Sequence, residues 1–224
     1  ARDIESNKGD PLYGKLRYRF NYQNKVQAGL NIVRHEGSNL NGKKWDYDGY
    51  IQLNDLGKIK TLVAGDYQAT YGYGLVVGSP FKRGKTAYIQ STATTDEGLK
   101  KLSSIGDGYN GFHGIGMMAS MGKKANISTF YSLQNEKNNS WNHVVGVNVT
   151  SKWKKIKVGV TAIENISKPT QAHVENDIKN EPQSEKRETN TQALIGANAR
   201  YNYGKIDLWG EVAVSQGTKS GIAG

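Results

Sequence analysis

The chain has 224 residues and carries 30 Lys and Arg against 20 Asp and Glu, a formal net charge of +10. Only 36% of the residues are hydrophobic and the mean hydropathy is -0.66, so no stretch approaches the ~20 consecutive apolar residues of a transmembrane helix. The sequence has 27 glycines, 13 tyrosines, 4 prolines and no cysteine. This composition excludes a helical membrane protein, a disulfide framework and a thiolate zinc site, and it favours many strands joined by turns.

The basic excess favours phosphate-bearing or other acidic partners. The alternative is a solvated basic surface without a specific partner. Both ends of the sequence are polar: ARDIESNKGD shows no signal-sequence pattern, and SQGTKSGIAG has no closing strand. We therefore expect residues 1–224 to form a single β region that is incomplete at both ends.

Apolar and polar side chains alternate along most of the chain, with the period of a strand whose two faces differ. In KLRYRFNY (15–22) the apolar positions are Leu, Tyr, Phe and Tyr, and the intervening positions are Lys, Arg, Arg and Asn. KVQAGLNI (25–32) repeats the pattern after a tight turn. Taken in chain order, the alternation predicts ten strands, at about residues 15–22, 25–32, 46–54, 63–75, 109–121, 125–134, 142–150, 154–163, 192–203 and 205–215.

The stretch GDYQATYGYGLVV (65–77) can be interpreted as a glycine-rich cofactor loop or as part of the fourth strand. The spacing after Gly72 and Gly74 does not fit G-x-G-x-x-G, and the strand pattern continues through both glycines. We therefore assign the stretch to a strand. This assignment predicts that Tyr67, Ala69 and Tyr71 face lipid. It predicts that the alternate residues, Asp66, Gln68 and Thr70, face the interior.

The connections between the strands alternate in length. Turns near residues 23, 57, 123, 152 and 204 are short, whereas the linkers at 35–45, 79–108, 135–141 and 164–191 are longer and polar. Short turns on one side and long loops on the other are typical of bacterial outer-membrane barrels. A soluble β-sandwich also alternates, but here one face is rich in charged and amide residues, as a wet lumen would be, and tyrosines lie near strand ends. The pattern predicts an all-β fold, an antiparallel transmembrane β-barrel.

Motifs for catalysis or cofactor binding are weak. GSNLNGKK (37–44) resembles a phosphate-binding loop, but Lys44 replaces the Ser or Thr that would hold magnesium, and a solvated loop is the simpler interpretation. The four histidines are dispersed, with no metal-ligand neighbour at i+3 or i+4. Asp66 and Glu211 are either a catalytic or substrate-binding pair or, as we expect, partners of nearby Lys and Arg. We expect no enzyme activity, no cofactor and no metal.

GDYQATYGYGLVVGSPFKRGK (65–85) resembles a segment of the outer-membrane β-barrel proteins of Bacteroidota in which helix-hairpin-helix repeats precede a large barrel. The family pattern is G-D-Y-Q-x-x-x-G-x-G-L, followed by a small residue, a phenylalanine and a G-K turn. IDLWGEVAVSQG (206–217) is similar to a second strand of that family, N-x-x-G-E. The resemblance covers about residues 49–120 and 193–216 and implies a barrel fold and an outer-membrane location. The helix-hairpin-helix part is not in this chain, so we do not expect nucleic acid as a partner of these residues.

The sequence thus predicts part of an outer-membrane barrel that passes or captures a solute through a polar, basic lumen, with membrane lipid and lipopolysaccharide as neighbours. The basic excess makes an anionic solute the expected one. The main alternative is a soluble all-β module for glycans or nucleic acid that uses Trp45, Trp141 or Trp209 as stacking platforms, and a lumen-sited enzyme is a further one. The candidate lumen-facing residues are Arg17, Arg19, Asp66, Gln68, Lys157, Arg200 and Glu211.

Overall fold

A computed structural model describes residues 13–34, 45–78, 98–102, 111–135, 140–169 and 187–222. In these ranges the chain forms strands and turns, and it contains no helix long and apolar enough to cross a membrane. The strands are β1 (Gly14–Tyr22), β2 (Val26–Arg34), β3 (Trp45–Leu56), β4 (Ile59–Thr70), β5 (Gly98–Lys101), β6 (Phe112–Met121), β7 (Ala125–Asn135), β8 (Ser140–Trp153), β9 (Ile156–Pro169), β10 (Arg187–Tyr203) and β11 (Ile206–Ile222).

All the strands belong to one antiparallel sheet in the order β1-β2-β3-β4-β6-β7-β8-β9-β10-β11, with the short β5 paired to β4. The all-β, antiparallel prediction is therefore confirmed. Over the described residues the sheet is open, with β1 and β11 as its two edges. Apart from the insertion of β5, the order is a meander, because each strand pairs with the next one along the chain.

The bounds of several predicted elements are wrong. The fourth strand ends at Thr70 rather than continuing to residue 75, and the stretch predicted as a loop between residues 79 and 108 contains β5. The long loop predicted from residue 164 is shorter at both ends, since β9 reaches Pro169 and β10 begins at Arg187. These two strands are longer than predicted, and each pairs over its whole length with a neighbour. For example, β10 and β11 pair without a break from Tyr203↔Ile206 to Arg187↔Ile222.

Five tight turns lie at one end of the sheet, and neighbouring turns are hydrogen-bonded to each other. The carbonyl of Lys25 accepts from the backbone N–H of Asn54 (2.8 Å), and similar bonds join the later hairpins. These additional bonds are Ser120 N–H to Lys58 O (2.8 Å), Lys152 N–H to Lys124 O (2.8 Å) and Asn202 N–H to Lys155 O (2.9 Å). The turns therefore form a continuous, ordered edge.

The two faces of the sheet have opposite polarity to those of an ordinary soluble sheet. We call the face that carries the buried side chains the inner face and the opposite one the outer face. Many fully buried residues are polar, whereas large apolar side chains on the outer face are exposed, among them Val212 at 70% and Val214 at 75%. The buried polar residues of the inner face include Gln27, Asn31, Asp48, Gln52, Ser128, Ser132, Asn142, Asn148, Thr161 and Asn198.

The sheet curves around its inner face. Six strand steps separate β4 from β11, which in a flat sheet is about 29 Å at the usual strand spacing. Yet Tyr73, three residues after the end of β4, donates its backbone N–H to Glu211 of β11 (2.7 Å), and three residues span at most about 11 Å. The wall from β4 to β11 must therefore curl, with its inner face concave.

An apolar cluster lies inside this curve. It is centred on Val63, Tyr67 and Tyr71, with exposures of 0%, 0% and 1%. Phe130 and Val144 of the curved wall complete it from β7 and β8. The rings of Tyr67 and Phe112 are 5.7 Å apart, and those of Tyr71 and Phe130 are 6.1 Å apart. The stable core of the described chain is thus made by β4 packing inside the curve rather than by two stacked sheets.

Candidate functional site

The candidate site is the polar inner face together with the segment that lies on it. We call residues 71–78, which follow β4 and contain no strand, the strap. The strap crosses the concave side and contacts β10 and β11 at the far side of the curve.

Gly65 and Asp66 mark the point where the pairing of β4 with β3 ends, while its pairing with β6 continues to Tyr67. Pairing with β3 ends at Tyr50↔Gly65, and Gly65 has a φ of 89°, in the left-handed region that favours glycine. A Cβ at Gly65 would also collide with the backbone of Gly49. The Asp66 carboxylate accepts the backbone N–H of Gly49 (2.6 Å) and lies 2.8 Å from Nδ1 of His113. Asp66 therefore binds both strands that neighbour β4, through Gly49 of β3 and His113 of β6.

Glu211 of β11 binds the middle of the strap. Its Oε2 accepts the backbone N–H groups of Tyr73 (2.7 Å) and Leu75 (3.1 Å). Hydrogen bonds from two backbone N–H groups to one carboxylate are charge-assisted and stronger than neutral ones. The two carboxylates that the sequence singles out thus both accept backbone N–H groups, Asp66 from Gly49 of β3 and Glu211 from the strap.

Close packing fixes the position of the strap on β10 and β11. The rings of Tyr73 and Trp209 have centroids 4.6 Å apart. A Cβ on Gly196 of β10 would lie 2.5 Å from Val76, and a Cβ on Gly72 would lie 2.6 Å from Glu211. Glycine at both positions lets the strap and the wall approach each other.

Polar side chains of the inner face are bonded to each other across the strands. The Asn31 amide donates to the Asp48 carboxylate, and Nδ2 of Asn148 donates to Thr161 Oγ1 (2.9 Å). These pairs lie in the buried part of the inner face. Buried amides and hydroxyls require such partners or water, so this face is suited to a wet, polar interior.

Two cationic side chains of the inner face, Lys101 and Arg200, are hydrogen-bonded to neighbouring side chains. The Lys101 ammonium donates to Oε1 of Gln27, and the Lys101 backbone N–H donates to Oε1 of Gln52 (2.8 Å). Nε of Arg200 donates to Oδ1 of Asp207 (2.9 Å), and a second guanidinium nitrogen of Arg200 binds Oδ2 of the same carboxylate. Because this pair is bidentate, Asp207 offsets the charge of Arg200 locally.

The structure places five of the seven predicted residues on the inner face. Arg17 and Arg19 lie opposite Asn31 and Gly29, and Lys157 lies opposite Arg200. Glu211 lies opposite the buried Asn198. These residues are Arg17, Arg19, Lys157, Arg200 and Glu211.

Asp66 and Gln68 are placed differently. The prediction that Tyr67, Ala69 and Tyr71 face lipid is wrong, because these three side chains are at most 2% exposed and form the inner cluster. Asp66 and Gln68 alternate with them and so project to the opposite side of β4. The physical reason is the register of β4: Val63 lies opposite Gln52 of β3 and Gly116 of β6, so the apolar positions of β4 lie on the inner face and form its cluster.

The tryptophans that the sequence suggests as stacking platforms lie in different places. Trp209 lies under Tyr73 on the inner face, Trp141 is 39% exposed on the outer face, and the side chain of Trp45 lies outside the described residues. The interior role of Lys101 was missed, because the isolated sequence GLKK (98–101) carries no alternating pattern that distinguishes it from a polar loop. Within the described ranges, no group of three His, Asp or Glu could hold a metal ion.

The phosphate-loop-like GSNLNGKK and two of the histidines, His35 and His173, lie outside the described residues. Of the other two, His113 binds Asp66 and His143 lies 2.9 Å from the hydroxyl of Tyr131. Chemically, the arrangement offers a polar, partly basic surface with a strap across it.

Comparison with protein-family models, curated proteins and solved structures gave no match.

Proposed function

We propose that this chain forms part of the wall of an outer-membrane β-barrel through which a polar solute passes or in which it is captured. The observation that carries the proposal is the polarity of the curved sheet: its concave side carries most of the buried polar side chains around one apolar cluster, and its convex side exposes large apolar side chains. In a soluble sheet the exposed apolar face would have to be covered. In a bilayer it contacts lipid, and the polar face lines the interior.

The dimensions of β8 support this proposal. Trp141 and Trp153 flank an outer face that carries Val145, Val147 and Val149. The twelve residue steps between the two tryptophans are about 40 Å along a strand, which projects to about 28 Å at a 45° tilt. An apolar band of about 25 Å between aromatic girdles is typical of outer-membrane barrels.

Other strands carry aromatic residues at the same two levels of the outer face. At the level of the tight turns, Tyr22 is 56% and Tyr203 is 55% exposed. Towards the opposite end of β3, Tyr47 is 67% exposed. Aromatic rings at both borders favour membrane interfaces, because they have an apolar body and a polar tip.

The open edges β1 and β11 present unpaired backbone groups, which cannot remain unpaired in lipid. The proposal therefore includes further strands that pair with these edges and close the barrel. The outer-membrane location and the bacterial group rest on the family resemblance of the stretch 65–85. The strap would narrow the interior, and the arginines and lysines of the inner face favour an anionic solute.

Membrane extraction and gel migration test the proposal. The full-length protein is expressed in a Gram-negative host and the outer-membrane fraction is washed with carbonate and urea. We expect the protein to stay in that fraction, to need detergent for release, and to migrate faster on a gel before boiling than after. Release by carbonate, with one gel position under both conditions, would instead indicate a soluble module.

A further inference from the structure

Every tight turn of the described sheet carries lysine at or beside its tip. Backbone hydrogen bonds between neighbouring turns hold four of these turn lysines in one row, through the carbonyls of Lys25, Lys58, Lys124 and Lys155. Like charges brought together on one edge repel each other. A row of this kind is unfavourable by itself and becomes favourable when an anion binds to it.

One part of this edge forms a cleft. The cleft has a volume of about 510 Å³ and is lined by five lysines: Lys60, Lys123, Lys124, Lys152 and Lys154. Ser120 and Asn126 add a hydroxyl and an amide, and the described lining residues include no carboxylate. The volume lies within the usual range for small-molecule sites, which is about 300–1,000 Å³.

The fold itself brings these lysines together from three hairpins. Lys60 is the extra residue of a bulge, because Ile59 pairs with Ala119 while Thr61 pairs with Met118. A bulge redirects a side chain out of the regular alternation of its strand. The turn from β6 to β7 supplies Lys123 and Lys124, and the end of β8 with its following turn supplies Lys152 and Lys154.

The lining also shows which side of the sheet the cleft opens on. Ser120 pairs with Asn126, Asn126 pairs with Thr150, and Thr150 has the parity of the buried Asn148. The cleft therefore lies at the turn end of the inner face rather than on the apolar outer face. Lys152 also lies directly opposite Lys157, which concentrates positive charge at this end of the inner face.

We propose that this cleft is a binding site for a phosphate-bearing anion, with room for more than one phosphate group. Lysine ammonium groups bind phosphate as point charges. The Ser120 hydroxyl and the Asn126 amide can donate further hydrogen bonds to phosphate oxygens. The same chemistry is offered by a soluble phosphorylated solute and by a phospholipid headgroup. The site is formed by the hairpins themselves, so it does not depend on whether the sheet is part of a membrane barrel.

Titration calorimetry of the purified full-length protein with sodium triphosphate tests the site. The double variant Lys124→Gln, Lys152→Gln removes two cations that line the cleft. The matched control Lys25→Gln, Lys205→Gln removes two lysines of other tight turns and changes the net charge equally. We expect the first variant to bind triphosphate about tenfold more weakly or worse and the control to bind it as the parent does.

A second set of measurements identifies the source of the phosphate. Co-flotation is compared for vesicles of phosphatidylcholine alone and with phosphatidylglycerol. Loss of phosphatidylglycerol-dependent flotation in the cleft variant but not in the control, without triphosphate binding, would assign the site to a headgroup. Equal weakening in both double variants, or no phosphate-dependent binding in either assay, would overturn the proposal. Circular dichroism of each variant establishes that the sheet is intact.

Discussion

At the residue scale, the glycines of the stretch 65–77 have separate tasks. Gly65, with a φ of 89°, allows the backbones of β4 and Gly49 to approach closely, and Gly72, with a φ of 58°, lies against Glu211. A dinucleotide loop would use its glycines to bring backbone close to a phosphate. Here they bring one part of the chain close to another, and the strap is held by backbone hydrogen bonds to Glu211.

Gly72→Ala tests the contact between the strap and Glu211, with Gly57→Ala as a matched control. Both glycines have positive φ, at 58° and 66°, but a Cβ at Gly57 meets nothing within 4 Å. The backbone cost is about 1–2 kcal/mol for each, and Gly72→Ala should lose about 1–3 kcal/mol more through overpacking. Urea unfolding in detergent micelles measures both free energies. Equal losses would show that the strap does not bind Glu211 closely.

At the scale of the element, alternation was sufficient to predict most strands but not the course of β4. Period 2 shows which residues share a face, and in β1 and β8 it separates the inner and outer residues as the structure does. Along residues 63–71 the same period persists, but the apolar positions lie on the inner face and form the cluster there. The alternation could not predict which of the two faces of β4 lies inside, because that depends on the register with β3 and β6 and on the position of β5.

Val147→Arg tests the environment of the outer face at β8. Val147 is 39% exposed and lies midway between Trp141 and Trp153. An arginine at the bilayer midplane of a barrel costs about 2–4 kcal/mol. Asn202→Arg is the control, because Asn202 is exposed beside the tight turn at the end of β10, where a surface change usually costs less than about 0.5 kcal/mol. Unfolding in lipid vesicles that leaves the two variants equally stable would place Val147 in water.

At the scale of the whole molecule, the candidate site was predictable in composition but not in arrangement. The basic inner residues of β1, β9 and β10 follow from alternation. The sequence could not show that Asp207 is the ion-pair partner of Arg200 or that Glu211 binds the strap, since both depend on contacts between strands. The effective positive charge of the inner face is therefore smaller than the number of its cations.

Ion selectivity tests the part that this charge plays in the intact barrel. Arg17 and Arg19 lie on the inner face of β1, so their positive charge should raise the local concentration of anions. Planar-bilayer recordings in a KCl gradient should give an anion-selective reversal potential, and Arg17→Gln, Arg19→Gln should shift it toward zero. The double variant Arg200→Gln, Asp207→Asn removes an ion pair without changing the net charge and should leave the potential unchanged. A cation-selective parent, or one unaffected by loss of Arg17 and Arg19, would contradict this role.

The most direct test of the central claim, that lipid covers the outer face and water the inner face, uses four adjacent positions of β11. Val212 and Val214 lie on the outer face, Ala213 and Ser215 lie on the inner face, and all four are exposed in the protein alone. The chain has no cysteine, so single cysteines at these positions can be reacted in native membranes with a water-soluble maleimide. We predict that the cysteines at 213 and 215 react and that those at 212 and 214 do so only after detergent is added. Reaction of all four at similar rates in intact membranes would contradict the claim.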